Sequence, residues 1–193
     1  MSGPLAALRR TARRVTREQM RQGREWYPNA RRDVVTLLAE RDFDVDEELV
    51  ERACYVLAAL SPRVTFQQNM LMLGRFLDVV ALHSRPPSMD DMRSEVRGLS
   101  VSLASAVKTW STGILPKGPK VRAFALAVAS GGKADCEPVL DTWAFRAAGL
   151  DPQPSVSERR ACVHAYRRVA KQCGDDVHTI QAACWIQARG SHV

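Results

Sequence analysis

A tight turn, Leu115-Pro116-Lys117-Gly118-Pro119, separates two helix-like patterns and constrains the fold more than any other stretch. It lies within GILPKGPKVRAFALAVASGGKADCEPVLDTWAFRAAG, residues 113–149. This segment reads as a helix end, the turn, a helix from about Lys120, a Gly-Gly break and a helix opened by Asp141. Gly118 lets the backbone come close to something outside the chain, and Pro119 suits the first position of the following helix. Free N–H groups at that helix start form an anion site of the kind that holds a DNA phosphate. Elsewhere helical periodicity is pervasive and strand-like runs are scarce, so the class is all-α. A chain of 193 residues can bury one core, or form two small helical lobes sharing a cleft.

Taken in order, residues 5–25 carry Leu5, Leu8, Ala12, Val15 and Gln19 at helical spacing among many arginines. The stripe is thin, which predicts a helix that frays or is ordered only on DNA. Trp26-Tyr27-Pro28 marks the start of the folded part, residues 28–193, with Pro28 opening a helix to about Glu40. Trp26 and Tyr27 either anchor the arm or stack on bases. Asp46 caps the next helix, which Pro62 ends, and Thr65 opens another that runs to the Pro86-Pro87 break. Ser88 with Asp91 forms a capping box that starts a helix through Met92, Val96, Leu99 and Leu103 towards Trp110. Ser157 caps a helix ending at Gly174. A last helix runs from about Asp176 to Arg189, and residues 190–193 are expected to fray.

Charge is unevenly placed. Residues 1–32 hold nine Arg against Glu18 and Glu25, which equals the whole net charge of +7. A basic arm, residues 1–27, on a neutral body points to nucleic acid as partner, or else to a solubilising tail. Five scattered cysteines (Cys54, Cys136, Cys162, Cys173, Cys184) suggest reduced thiols in a cytoplasm. No apolar run has the length of a membrane span, and the histidines form no metal-ligand pattern.

Three motifs resemble those of the helix-hairpin-helix, endonuclease III-like DNA glycosylases. ILPKGPKV is similar to the family's leucine-proline-glycine-aliphatic-glycine-any-lysine hairpin, placed about residues 106–130. LDTWAFRAAG, within 138–149, resembles its valine-aspartate-threonine-histidine run. LSPRVTFQQN, Leu60 to Asn69, resembles its leucine-serine-any-glutamine-any-threonine helix junction. The resemblance spans roughly Leu57 to Gly149 and implies a two-lobed, monomeric helical bundle that cleaves the bond between a damaged or modified base and its sugar in double-stranded DNA. It places Lys120 where bifunctional members keep the lysine nucleophile of AP-lyase chemistry, and Asp141 where they keep the catalytic carboxylate. Pro116, Lys117 and Gly118 would bind phosphate, with a monovalent cation held by hairpin carbonyls as the sole cofactor candidate. Arg63 stands where the family's glutamine plugs the gap left by the flipped base, with Gln67 beside it on DNA. Phe66 and Trp143 would line the base pocket, and Arg9, Arg10, Arg13 and Arg14 would add non-specific affinity.

Departures are specific. Aligned without a gap, Pro116 takes the place of the first hairpin glycine and Lys117 that of the aliphatic residue. Trp143 replaces the family's histidine, and either packs in the core or faces the base. Cys162, Cys173 and Cys184 lack the spacing and the fourth member of the iron-sulfur cluster that many relatives carry, and read as core thiols. The residue-level alternatives are that Asp141 is an ordinary helix cap, Lys120 a phosphate-binding or solvated lysine, and Arg63 a surface residue after a helix end. Two rival functions stand beside the glycosylase: a non-catalytic DNA-binding relative, and an enzyme of phage DNA base modification.

Overall fold

The computed structural model describes residues 3–83, 87–96, 100–133 and 135–190. Among the described residues all regular structure is helical: α1 (Pro4–Arg14), α2 (Arg17–Ala39), α3 (Glu47–Leu60), α4 (Phe66–Leu82), α5 (Met89–Arg93), α6 (Ser100–Thr112), α7 (Pro119–Ala129), α8 (Thr142–Ala147), α9 (Val156–Cys173) and α10 (Val177–Arg189). The chain divides into two compact units. The terminal unit comprises Met1–Asn29 with Ser130–Val193, and the central unit is Ala30–Ala129.

In the terminal unit α1 packs on α9 and α10, and α10 on α8 and α9. Leu8 is wholly buried among Leu140, Phe145, Cys162, Tyr166, Ile180 and Cys184, with Leu5, Ala12 and Val15 packed against this cluster. The expected frayed arm is therefore an ordered part of a core. A stripe at i, i+3, i+7 is narrow, but here it lies against helices on more than one side. Small residues add to the closeness: a side chain on Gly149 would come within 2.8 Å of Ala7 Cβ. The Thr11 hydroxyl donates to the Ala147 carbonyl at 2.8 Å.

No boundary falls at residue 27, because α2 runs unbroken through Trp26-Tyr27-Pro28. Pro28 is exposed, so the carbonyl one turn back that loses its donor can turn to water. Tyr27 is buried and donates to Gln181 Oε1 at 2.6 Å, while Trp26 meets Trp185 edge-on at 6.3 Å. These rings anchor the first helices within the terminal unit.

In the central unit α3 is the hub, packed on α4, α6 and α7. Its second half is apolar all round, and Ala53, Cys54, Val56, Leu57, Ala58, Ala59 and Leu60 are all buried. Asp46 accepts from Leu49 N at 2.7 Å, and Thr65 with Gln68 closes a capping box on α4. Asn69, buried, donates to the Leu57 carbonyl at 3.0 Å and ties α4 to α3. Arg31 donates to the Ala129 carbonyl at 2.8 Å, satisfying the C-terminus of α7.

Other helix boundaries also differ from expectation: the stretch 5–25 is divided at Val15-Thr16 between α1 and α2. The helix expected from Ser88 to Trp110 is two helices, α5 and α6, and Gly98 stands in the sequence between them. Leu99, one of its expected apolar positions, lies outside the described residues, as do Pro86 and the expected fray at 191–193. The cap of α9 is Ser155 rather than Ser157, because Glu158 stands three residues after Ser155 and completes the box.

Candidate functional site

Gly113 ends α6 with φ +67°, and Gly118 takes φ +102° immediately before α7. The Gly118 carbonyl accepts the first helical bond, from Arg122 N at 2.9 Å. Pro119 at the helix start has no N–H to leave unsatisfied. Nothing lies within 4 Å of where a side chain on Gly118 would begin, so the turn presents bare backbone to solvent. Lys117 is exposed beside it, whereas Pro116 is buried. Pro116 therefore shapes the turn from within, and the parts of the turn open to a phosphate are Lys117 and Gly118.

Lys120, in the first turn of α7, is half-buried. Its Nζ donates to Ser61 Oγ at 3.3 Å and lies 5.9 Å from the Phe124 ring centre. Ser61 is the C-cap of α3 and opens the Ser61-Pro62-Arg63 junction. Lys120 and the junction after α3, 59 residues apart in sequence, thus meet inside the central unit.

Two residues after Ser61, Arg63 holds φ +65°, a left-handed conformation that is uncommon for a residue other than glycine, asparagine or aspartate. It is exposed. Backbone strain of this kind concentrates at functional sites. Phe66 follows as the first residue of α4, half-buried. Gln67 instead lines a groove between α2 and α4 of about 480 Å³, in company with Asp33, Glu40, Asp78, Arg41 and Arg75.

Asp141 belongs to the terminal unit. It caps α8, accepting from Ala144 N at 2.8 Å through Oδ1. Its Oδ2 accepts from Trp185 Nε1 at 3.0 Å. Arg189 stacks over the Trp185 ring at 4.7 Å, and Arg146 stacks likewise over the half-buried Trp143. Burial, reinforced by the Asp141 charge, pushes the Tyr27 hydroxyl well above the ordinary tyrosine range, and burial does the same to Tyr166. Both phenols stay neutral.

Sequence reasoning did not find Ser61 as the lysine's partner or Trp185 as the aspartate's. Trp185 stands 44 residues from Asp141 with no motif to link them. Ser61 was legible only as part of the helix junction. Arg9, Arg10, Arg13 and Arg14 lie on α1; Arg9 donates to Gln172 on α9 at 3.1 Å.

Cys162 and Cys184 are core thiols, but Cys173 is exposed at the end of α9. Cys136, half-buried, lies 3.4 Å from His178 Nε2, and burial raises its thiol pKa. Among the described residues no three His, Cys, Asp or Glu side chains are grouped to hold a metal ion, and no helix is long and apolar enough to cross a membrane.

The fold and these residues define an all-helical protein in which Lys120, at the start of α7, meets Ser61, the C-cap of α3. A family model matches residues 6–192, and the chain belongs to that family, DUF7178, a family of unknown function. No curated protein and no solved structure matches it.

Proposed function

We propose that this protein is a helix-hairpin-helix DNA glycosylase-like enzyme that releases a damaged or modified base from double-stranded DNA. The observation that carries the reading is the Lys120–Ser61 contact at 3.3 Å. It joins in space two of the three stretches that resemble the glycosylases, and so gives their order along the chain a structural meaning. The open Gly118 backbone, the left-handed Arg63 and the presence of two compact helical units support it further.

A base within a duplex must first be extruded, at a cost of a few kcal/mol. In this reading Arg63 fills the vacated place, and Lys117 with the Gly118 backbone holds a phosphate. Cleavage builds positive charge on the sugar as the base departs with the bonding pair, and the Asp141 carboxylate stabilises that charge. For the lyase step the Lys120 amine must be neutral; it then forms the new bond to the anomeric carbon and loses its proton. The ring-opened Schiff base then loses the 3′ phosphate by β-elimination. Without the lysine step, water takes the same position and the enzyme is monofunctional.

The test is incubation with duplexes carrying a panel of damaged or modified bases, with borohydride present to reduce the Schiff base to a stable amine. A trapped adduct that vanishes in Lys120→Ala supports the lyase step, and base release that is lost in Asp141→Asn supports the carboxylate's role. Silence across the panel favours the second reading, a DNA-binding relative without catalysis. One observation speaks for that second reading: both Asp141 oxygens already accept structural hydrogen bonds.

A further inference from the structure

Residues 1–29 and 130–193 hold 15 Lys and Arg against nine Asp and Glu, whereas residues 30–129 hold 13 against 12. The basic excess is thus a property of the terminal unit, and α1 carries only part of it. On α9 the side chains facing the core are Cys162, Val163, Ala165, Tyr166, Val169 and Ala170. The opposite, exposed face carries Arg160, His164, Arg167, Arg168 and Lys171. Their spacing of three and four residues makes one stripe, about 16 Å long at 1.5 Å per residue. That equals the axial rise of about five base pairs. α1 packs beside α9, and the Arg9–Gln172 bond at 3.1 Å sets its outer face, with Arg13 one turn on, against the last turn of the stripe.

The carboxylates of this unit are largely engaged elsewhere. Asp175 holds Arg24, Glu18 and Glu25 hold Arg21, and Glu158 closes its own helix cap. Among the described residues none of Arg13, Arg14, Arg160, Arg168 and Lys171 lies within ion-pair distance of a carboxylate. We propose that the joined outer faces of α1 and α9 form a docking surface for the phosphate backbone of a nucleic acid. Guanidinium groups suit phosphate through paired N–H donors. An anionic membrane is the poorer fit, because the exposed face of α9 offers Ala161 and His164 where an interfacial helix would insert Trp, Phe or Leu. The inference shares with the proposed function only its DNA partner, since neither Lys120 nor Asp141 takes part.

Anisotropy titrations of a lesion-free duplex, from about 50 to 200 mM salt, test it. The variant Arg160→Gln/Arg167→Gln/Arg168→Gln/Lys171→Gln is compared with a charge-matched control in the central unit, Arg32→Gln/Arg75→Gln/Arg93→Gln/Lys108→Gln. Circular dichroism verifies the fold of both. Each lost phosphate contact removes about 0.9 from the slope of log K against log salt, so the α9 variant should be shallower by about 3 to 4 and the control by less than 1. Equal slopes in the two variants, or wild-type binding to phosphatidylserine vesicles but not to duplex, overturn the surface. Base release separates the two proposals. A wild type that binds with the expected slope yet releases no base refutes the glycosylase and leaves the surface standing.

Discussion

The hydrogen bond between Trp185 and Asp141 yields a prediction that can be worked through in energies. Trp185→Phe keeps a ring for Trp26 and Arg189 to pack against but removes the N–H that Asp141 Oδ2 accepts at 3.0 Å. A hydrogen bond to an ionised group contributes about 1.5–3 kcal/mol. Both residues are half-buried, so water replaces part of the loss and the lower value, about 1.5 kcal/mol, applies. Asp141→Ala loses that bond and also the cap on Ala144 N, a further ~1 kcal/mol, for a total of about 2.5 kcal/mol. The bond can be lost only once. The double variant should therefore be destabilised by about 2.5 kcal/mol rather than about 4, a coupling of about 1.5 kcal/mol. Urea unfolding of the wild type and the three variants at neutral pH measures it. Additivity within about 0.5 kcal/mol would show that the indole and the carboxylate do not act as a pair.

Four further outcomes are expected. Gly23→Ala should destabilise by about 1–2 kcal/mol, because its Cβ would lie 2.9 Å from backbone atoms of Ala183 and Thr179, and a clash with backbone outweighs the helix gain of about 1 kcal/mol. Gly74→Ala should instead stabilise by about 0.5 kcal/mol, since the atom at 3.1 Å is the end of the Arg41 side chain, which can move; urea midpoints of the pair decide both. Burial pushes the thiols of Cys54, Cys162 and Cys184 from 9.0 up to about 12. A raised folded-state pKa gives stability that is whole below the unfolded value and is lost on going up, so unfolding free energy should be flat below about pH 8.5 and fall between pH 9 and 12 by up to about 1.4 kcal/mol per pH unit per thiol. A colorimetric thiol reagent at pH 8 should modify the exposed Cys173 first, the half-buried Cys136 more slowly and the other three only on unfolding; rapid reaction of all five would contradict the packing described.

Local signals are legible at several helix ends, where one residue decides the backbone. Asp46, Thr65, Ser88 and Asp141 each open a helix with a side-chain cap, and Gly174 closes one. All-α class followed from such punctuation and from periodicity. Signals failed where the deciding partner is remote. Leu5, Leu8 and Ala12 make too thin a stripe to predict burial, and only α9 and α10, more than 140 residues later, supply the surface that covers them. Proline prefers a helix start, so Pro28 points to one in sequence, but an exposed interior position tolerates it. At the candidate site the identities Lys120, Arg63 and Asp141 stood out in sequence. Their partners Ser61 and Trp185 did not, since a hydrogen bond across a fold leaves no mark on spacing.

The terminal unit takes α1 from one end of the chain and α9 and α10 from the other. During synthesis residues 30–129 are complete well before Cys162, Ile180 and Cys184 exist, so the central unit can fold while Leu8 still lacks its covering helices. At about 5–20 residues per second, the first helix waits roughly ten to thirty seconds on the ribosome before its apolar side is covered. Through that interval the helix carries Arg9, Arg10, Arg13 and Arg14 and no acidic side chain.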